Sequence, residues 1–412
     1  MTAVDPALRR PRRWAVLFAY TLVAGVSQML WLNFAPILTL VQKRYGVGEG
    51  LASALIFVFP LLYVVLSVPA GALVDRRGYR VTVGLGALVM ALAALLRIAD
   101  QTFGFLLAGQ IGIAIAQPFI VNGISKLVAD WFSEEHGAIA TGLGTVGMFL
   151  GMAVGLAATP PLTAALGLGG AMVVFAAIAA AVAVLFWIVV IPNDRGPATT
   201  MTVQAHFGPL LRDRGLQVLL VLAFLGLGVF NGLTTWLEQI LAYHGVDAEH
   251  AGLVGGILIL GGIAGSIVVP AVSDALHMRK PFLVGCSIGG LILLYPLCAT
   301  GRFTTLLALG FALGFVFLPA YALLLEMSAQ LAGPASAGAA TSLLMLAGNA
   351  GGVAVVLAMP AIKGEGPDYG PAVRLMTALL LLTVVLALTA PETFARSGRR
   401  KRRRHRNPTS RA

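Results

Sequence analysis

The chain has 412 residues, of which 58% are hydrophobic and only 11% charged. That balance excludes an ordinary soluble domain, where about a quarter of residues are charged. The formal net charge of +11 sits in the two ends, +3 in residues 1–13 and +8 in 392–412. The body is therefore neutral, which argues against a nucleic-acid surface.

In chain order, a basic tail (1–13) with Arg9, Arg10, Arg12 and Arg13 precedes an apolar run at 14–40. That run is too long for the core of a signal peptide, so it is expected to be an uncleaved helix. Further apolar runs follow at 51–73, 81–99, 103–129, 137–161 and 168–191. A polar segment with Pro192, Pro197 and Pro209 marks a cytoplasmic linker at 192–214. The second half gives runs at 215–242, 249–275, 281–299, 303–326, 335–361 and 371–391, then a basic tail at 392–412. Each run is long enough to cross a bilayer as a helix. The expectation is an all-α membrane protein of twelve spans in two six-helix bundles, 14–191 and 215–391.

The halves are related in sequence. The hinge GALVDRRGYRV at 71–81 is echoed by PAVSDALHMRK at 270–280, with Asp75 and Asp274 separated by 199 residues. Tyr45-Gly46-Val47 and His244-Gly245-Val246 share that offset, as expected of an internal repeat. With both termini inside, 22 Lys and Arg residues fall on the cytoplasmic side and 6 outside, the bias cytoplasmic loops carry. The run at 399–406 then serves as a topology signal.

Glycines recur every fourth residue at Gly147/Gly151/Gly155, Gly252/Gly256, Gly261/Gly265 and Gly348/Gly352. Small residues at this spacing let backbones approach closely where lipid supplies no hydrophobic drive. They are expected to form packing seams between the halves. Gly142, Gly144 and Gly147 match a dinucleotide fingerprint, but no strand precedes them, so no nucleotide site is expected. Cys286 and Cys298 lie twelve residues apart on one predicted helix, about 18 Å, and cannot pair with each other. The six histidines lie in loops or at helix ends and show no metal-ligand spacing, so no metal or cofactor is expected.

The signature G-x-x-x-D-R-x-G between the second and third helices, here Gly71, Asp75, Arg76 and Gly78 with Arg80 following, resembles that of the major facilitator superfamily. The resemblance covers the whole chain. It implies a cytoplasmic latch using Asp75, Arg76 and Arg80, with Asp130 a third partner and Asp274 and Glu326 as second-half counterparts. A closer resemblance runs through Gly109-Gln110, Ala116-Gln117, Phe119-Ile120, Ser125-Lys126, Trp131-Phe132, Trp31, Leu318-Pro319 and Glu326. These residues are similar to the feline leukaemia virus subgroup C receptor-related (FLVCR) group, which is associated with choline and ethanolamine transport and a disputed haem activity.

A facilitator binds its substrate near the membrane midplane, where helices one, four, seven and ten face one another. Polar or aromatic candidates there are Gln28, Trp31, Asn33, Gln117, Asn122, Phe230, Asn231, Thr235 and Tyr321, none of them acidic. An indole face can receive a quaternary ammonium without a counter-ion, and Gln117 can bond a hydroxyl or amine. The chain departs from the group in two places. Asn231 stands where its second aromatic wall falls, and Asn349 replaces a glutamine expected in helix eleven. Gln110 occupies the position of the proton-antiporter arginine, and Glu238 is the sole acid of the seventh-helix region, so uniport is favoured.

The expectation is a non-enzymatic, monomeric, alternating-access carrier of a small organic cation or amino alcohol in the plasma or inner membrane. Its partners are the lipid bilayer and a small-molecule substrate. Efflux of drug-like or amphipathic compounds, haem included, and a non-transporting sensor remain open alternatives. No histidine lies inside the membrane on this reading, since all six sit in loops or at helix ends, so none offers haem a proximal ligand.

Overall fold

The computed structural model describes residues 6–99, 101–132, 134–191, 207–333, 336–364 and 366–394. The basic run at 399–406 and most of the predicted linker lie outside the described residues. Fourteen α-helices are described: α1 Pro6–Leu32, α2 Leu38–Tyr45, α3 Glu49–Ala52, α4 Ala54–Leu96, α5 Phe103–Val121, α6 Gly123–Trp131, α7 Glu134–Val189, α8 Phe207–Leu211, α9 Arg214–Ala242, α10 Ala248–Leu276, α11 Lys280–Cys298, α12 Phe303–Ala332, α13 Ala337–Lys363 and α14 Gly370–Thr389. Among the described residues, ten helical stretches are long and apolar enough to cross a membrane.

Two of those ten are double. Helix α4 has 43 residues and α7 has 56, roughly 65 and 84 Å at helical rise and far beyond a single crossing. Each is interrupted by a glycine in the left-handed region, Gly78 (φ 77°) and Gly167 (φ 71°), a conformation that costs other residues a Cβ clash. Neighbouring contacts prove a reversal at each. Gly109 packs on Arg97, Gly112 on Ala93, Gly86 on Ile120 and Gly123 on Val83, so α5 and α6 run antiparallel to α4 after Gly78. Gln110 donates to the Leu55 carbonyl and Asn122 to that of Ser67, so the same segment runs parallel to α4 before Gly78. Likewise Gly147, Gly151 and Gly155 follow Thr21, Gly25 and Met29 along α1. After Gly167, Trp187 donates to the Gly84 carbonyl while Arg80 donates to that of Val190, in the opposite sense. Each of the two long stretches among the ten therefore folds back on itself at its glycine.

Proline sets one boundary that the apolar run concealed. The predicted span 14–40 breaks after Leu32, four residues before Pro36, whose ring clashes with the carbonyl at that spacing. A single 3-10 turn at Ala35–Ile37 then leads into α2. Outside the membrane, Asp247 caps α10 by accepting from the His250 backbone N–H at 2.8 Å, a bond that holds its carboxyl below the usual range.

By contact the chain divides into two compact units. The first is Met1–Met201 with Thr234–Ile259, and the second is Thr202–Leu233 with Leu260–Ala412. In the first, α7 lies on α1 so closely that a Cβ on Gly151 would stand 1.9 Å from the Gly25 carbonyl oxygen. Gly252 and Gly256 of α10 seat on Leu156, Ala153 and Ala157 of α7. In the second, Gly351 of α13 meets the Phe224 carbonyl of α9 at the same 1.9 Å, and Gly261 and Gly265 of α10 meet Phe311 and Phe315 of α12.

These contacts correct the expected placement of the glycine seams. Only Gly252/Gly256 joins the two sequence halves. Gly147/Gly151/Gly155, Gly261/Gly265 and Gly348/Gly352 pack helices of one half together, because close approach is needed wherever neighbouring spans lack a solvophobic drive. Many large apolar side chains stay exposed, among them Ile188, Ile267 and Ile292, as lipid-facing surfaces require.

Candidate functional site

In the first unit the predicted residues gather along α1 and α5. Gln28 and Trp31 are one helical turn apart on α1. Trp31 is 8% exposed. Its indole N–H donates to the Ile56 carbonyl at 3.1 Å, and its ring stacks on Phe59 with centroids 5.9 Å apart. One ring face is therefore covered from within the unit.

The backbone beside Trp31 is clamped by Gln110, which the sequence marked only as standing in place of an antiporter arginine, and by Arg97. Gln110 donates its amide nitrogen to the Leu30 carbonyl at 3.0 Å and to the Leu55 carbonyl at 2.8 Å. These are the carbonyls immediately preceding Trp31 and Ile56, the two partners of the indole bond. The Gln110 amide oxygen accepts in turn from Arg97 at 2.8 Å. The Arg97 guanidinium, wholly buried, lies 5.4 Å from the Phe34 ring centroid, and its stem passes over Gly109, where a Cβ would meet it at 2.5 Å. Arg97 falls in the predicted outer-side charge count. A charge within the 81–99 run was the signal that it has a buried role, since a guanidinium keeps its charge.

Helix α5 lies antiparallel to α1, with Gln110 beside Leu30 and Val121 beside Tyr20. Gln117 thus falls opposite Ala24, about one turn along α1 from Gln28. Its side chain is buried and makes no hydrogen bond among the described residues. Gln28 Oε1, both amide atoms of Asn33, and Thr235 Oγ1 are buried polar atoms without a partner. Such orphaned amides and hydroxyls are rare in protein interiors, and each costs about 1–3 kcal/mol unless something bonds it. Asn122 is not of this kind. Its oxygen accepts from Tyr63 at 3.1 Å and its nitrogen donates to the Ser67 carbonyl at 3.0 Å.

In the second unit, Phe230 tilts against Phe317 at 6.3 Å. Asn231 donates to the Leu227 carbonyl at 2.9 Å and lies against Gly352. Asn349 likewise donates to Met345 one turn back, at 2.8 Å. Tyr321 lies beside Gly348, its ring 3.4 Å from where a Cβ would stand.

The predicted latch residues fall into separate groups. Asp75 and Arg76 are exposed and form no hydrogen bond or ion pair among the described residues. Arg80 donates to the Val190 carbonyl and stacks over Trp187 at 5.2 Å. Asp130 is buried and pairs with Lys126 at 2.7 Å. Asp274 and Glu326 both bind Arg279, a buried residue the sequence reading placed only among cytoplasmic charges.

A sequence profile of the Major Facilitator Superfamily matches residues 17–356. An uncharacterized protein of Archaeoglobus fulgidus is 36% identical over 183 residues, 44% of this chain and 82% of that protein. The choline/ethanolamine transporter flvcr2a of Danio rerio is 24% identical over 386 residues, 87% of this chain and 81% of that protein. The inward-facing, unoccupied crystal structure of a bacterial homolog of the human lysosomal transporter Spinster superposes with a TM-score of 0.69. It shares 17% identity, covering 92% of this chain and 96% of that one. The profile spans most of the chain and the helical architecture agrees with it: this protein belongs to the major facilitator superfamily of membrane transporters.

Proposed function

We propose that the protein is an alternating-access uniporter for a small organic cation or amino alcohol of the choline or ethanolamine kind. The observation that carries this reading is the buried Trp31 indole, held by Phe59 and Ile56, with the unpartnered Gln28 Oε1 on the neighbouring turn and the buried Gln117 side chain on α5. An indole face attracts an ammonium by about 0.5–2 kcal/mol, more as water is excluded. The amides bond the hydroxyl or amine at the other end of the substrate. The likeness to a protein named as a choline/ethanolamine transporter supports the same class. Phe230, Asn231, Thr235, Tyr321 and Asn349 are proposed as the second half's contribution, and Asp75, Arg76, Arg80, Asp130, Asp274 and Glu326 as gating charges. The basic bias of the predicted inner loops supports both termini in the cytoplasm.

The test is uptake of radiolabelled choline and ethanolamine into liposomes holding the purified protein. Saturable uptake, independent of an imposed proton gradient and lost in Trp31→Ala, is expected. Uptake that is non-saturable, or indifferent to Trp31→Ala, overturns the reading.

A further inference from the structure

Among the described residues, two carboxylates are buried, Asp130 and Glu238. Asp130 has Lys126 as its cation at 2.7 Å. Glu238, near the C-terminal end of α9 and 6% exposed, has no ion pair. It accepts from the Thr39 hydroxyl of α2 at 2.8 Å and from the Thr39 backbone N–H. Lys43, one turn beyond Thr39, is exposed and acts on the carboxylate only at a distance, through solvent-screened attraction.

The surroundings offer more than the two Thr39 bonds. One turn before Glu238 on α9, Thr235 Oγ1 is buried without a partner, and one turn after Thr39 on α2, Gln42 Nε2 is in the same condition. A hydroxyl and an amide, each in need of a hydrogen bond, thus lie one turn along from the Thr39–Glu238 contact, one on each helix. A buried charge held by neutral hydrogen bonds and a distant, screened lysine still carries a desolvation cost of several kcal/mol, which protonation removes or a cation in contact offsets. Water can satisfy the hydroxyl and the amide, but it does not neutralise the carboxylate.

We propose that Glu238 is the ion-pairing residue of a cation-recognition subsite on α9, with Thr235 bonding the hydroxyl of the same ligand. The ligand class is a small ammonium ion carrying a hydroxyl group. This rests on the proposed transport of such cations and goes beyond it, because the indole-and-amide site along α1 and α5 contains no acid.

The experiment measures ligand-induced thermal shifts and liposome uptake with the full-length protein, comparing wild type with Glu238→Gln, Glu238→Asp and Thr235→Val. The probes are choline, tetramethylammonium and 3,3-dimethylbutan-1-ol, the uncharged carbon analogue of choline. Glu238→Gln keeps an acceptor for Thr39, and its unliganded melting temperature reports whether it folds. Wild type is expected to bind choline at least about tenfold tighter than the uncharged analogue, a preference that removal of a buried ion-pair partner abolishes. Glu238→Asp is expected to retain part of it. Thr235→Val is expected to weaken choline more than tetramethylammonium, which has no hydroxyl.

An unchanged charge preference in Glu238→Gln overturns the subsite, as does the absence of any ammonium-induced shift in wild type. If Glu238→Gln leaves KM intact and instead removes a pH dependence of uptake, the carboxylate carries a proton and the proposal fails. Loss of binding in Trp31→Ala with no effect of Glu238→Gln would leave the carrier reading standing and this one refuted. Choline binding that depends on Glu238, without uptake, would do the reverse.

Discussion

Gly151 and Gly25 touch backbone to backbone: a Cβ on Gly151 would fall 1.9 Å from the Gly25 carbonyl oxygen. Two hundred residues later Gly351 stands in the same relation to Phe224, again at 1.9 Å. In both cases the obstructing atom is backbone, which cannot swing aside. Gly151→Ala and Gly351→Ala are each expected to force the paired helices apart and lower stability by about 1–3 kcal/mol, the usual cost of overpacking. Gly142, with open space where its Cβ would be, is the control. Gly142→Ala is expected to leave the melting temperature in detergent unchanged or raised, since alanine is the better helix former.

The Arg97–Gln110 clamp predicts an effect at a distance. Gln110→Ala removes the acceptor for Arg97 and both bonds to the carbonyls beside the indole pair. It leaves a buried guanidinium donor unmet, and bonds to charged groups are worth about 1.5–3 kcal/mol each. The melting temperature is expected to fall accordingly. Because Leu30 and Leu55 are no longer tied together, the Trp31 ring loses its fixed partner. In a background where the other four tryptophans are replaced by phenylalanine, Trp31 fluorescence is expected to broaden or shift on Gln110→Ala. An unchanged emission spectrum would show that the indole is placed by Phe59 alone.

The apolar helical spans were legible because they depend on local properties: run length, apolar composition and punctuation by charge. The reversal at Gly78 was announced by the hinge around it, and the one at Gly167 by the break between two apolar runs. What neighbours what was much less legible. The four-residue glycine spacing in α7 says that some helix comes close, but it carries no information on which, and the partner is α1 rather than the other half. Arg97 shows the same limit. A charge inside an apolar run advertises a buried partner, yet nothing in the spacing from Arg97 to Gln110 distinguishes that glutamine from Gln117, seven residues on and without a hydrogen bond. The proposed site was legible as a set of residue types, whereas the bonds that spend or spare each amide depend on tertiary register.

Trp31 makes two separable contributions, and two substitutions divide them. Trp31→Phe keeps an aromatic face but removes the N–H that bonds Ile56, so a stability loss of about 1 kcal/mol is expected. Choline KM is expected to rise only a few-fold, since phenylalanine is the weaker cation receptor. Trp31→Ala removes the face as well and leaves Phe59 without its stacking partner. Uptake should then fall below detection while the protein still purifies as a folded species. Equal uptake in the two variants would mean that the ring serves packing and not the ligand.

Arg279 ties together the end of the second unit that carries Asp274 and Glu326. It pairs with both carboxylates, donates to Ser273 at 3.0 Å and stacks over Phe394 at 4.8 Å. Its backbone N–H and that of Lys280 donate to Glu392, so the segment after α14 is strapped to the turn before α11. A lysine presents one point charge where the planar guanidinium reaches several acceptors at once. Arg279→Lys is therefore expected to keep the fold but lose about 1–3 kcal/mol, and Arg279→Ala to lose more because Phe394 is left uncovered. The two carboxylates are about half exposed, so their share is screened by salt while the stacking and the backbone straps are not. Melting in 0.15 M and 1 M salt (both roughly chosen to bracket the screening length) separates the shares. If the difference between wild type and Arg279→Lys vanishes at high salt, the ion pairs account for it. If it persists, the guanidinium's reach to Ser273 and Phe394 holds this end together.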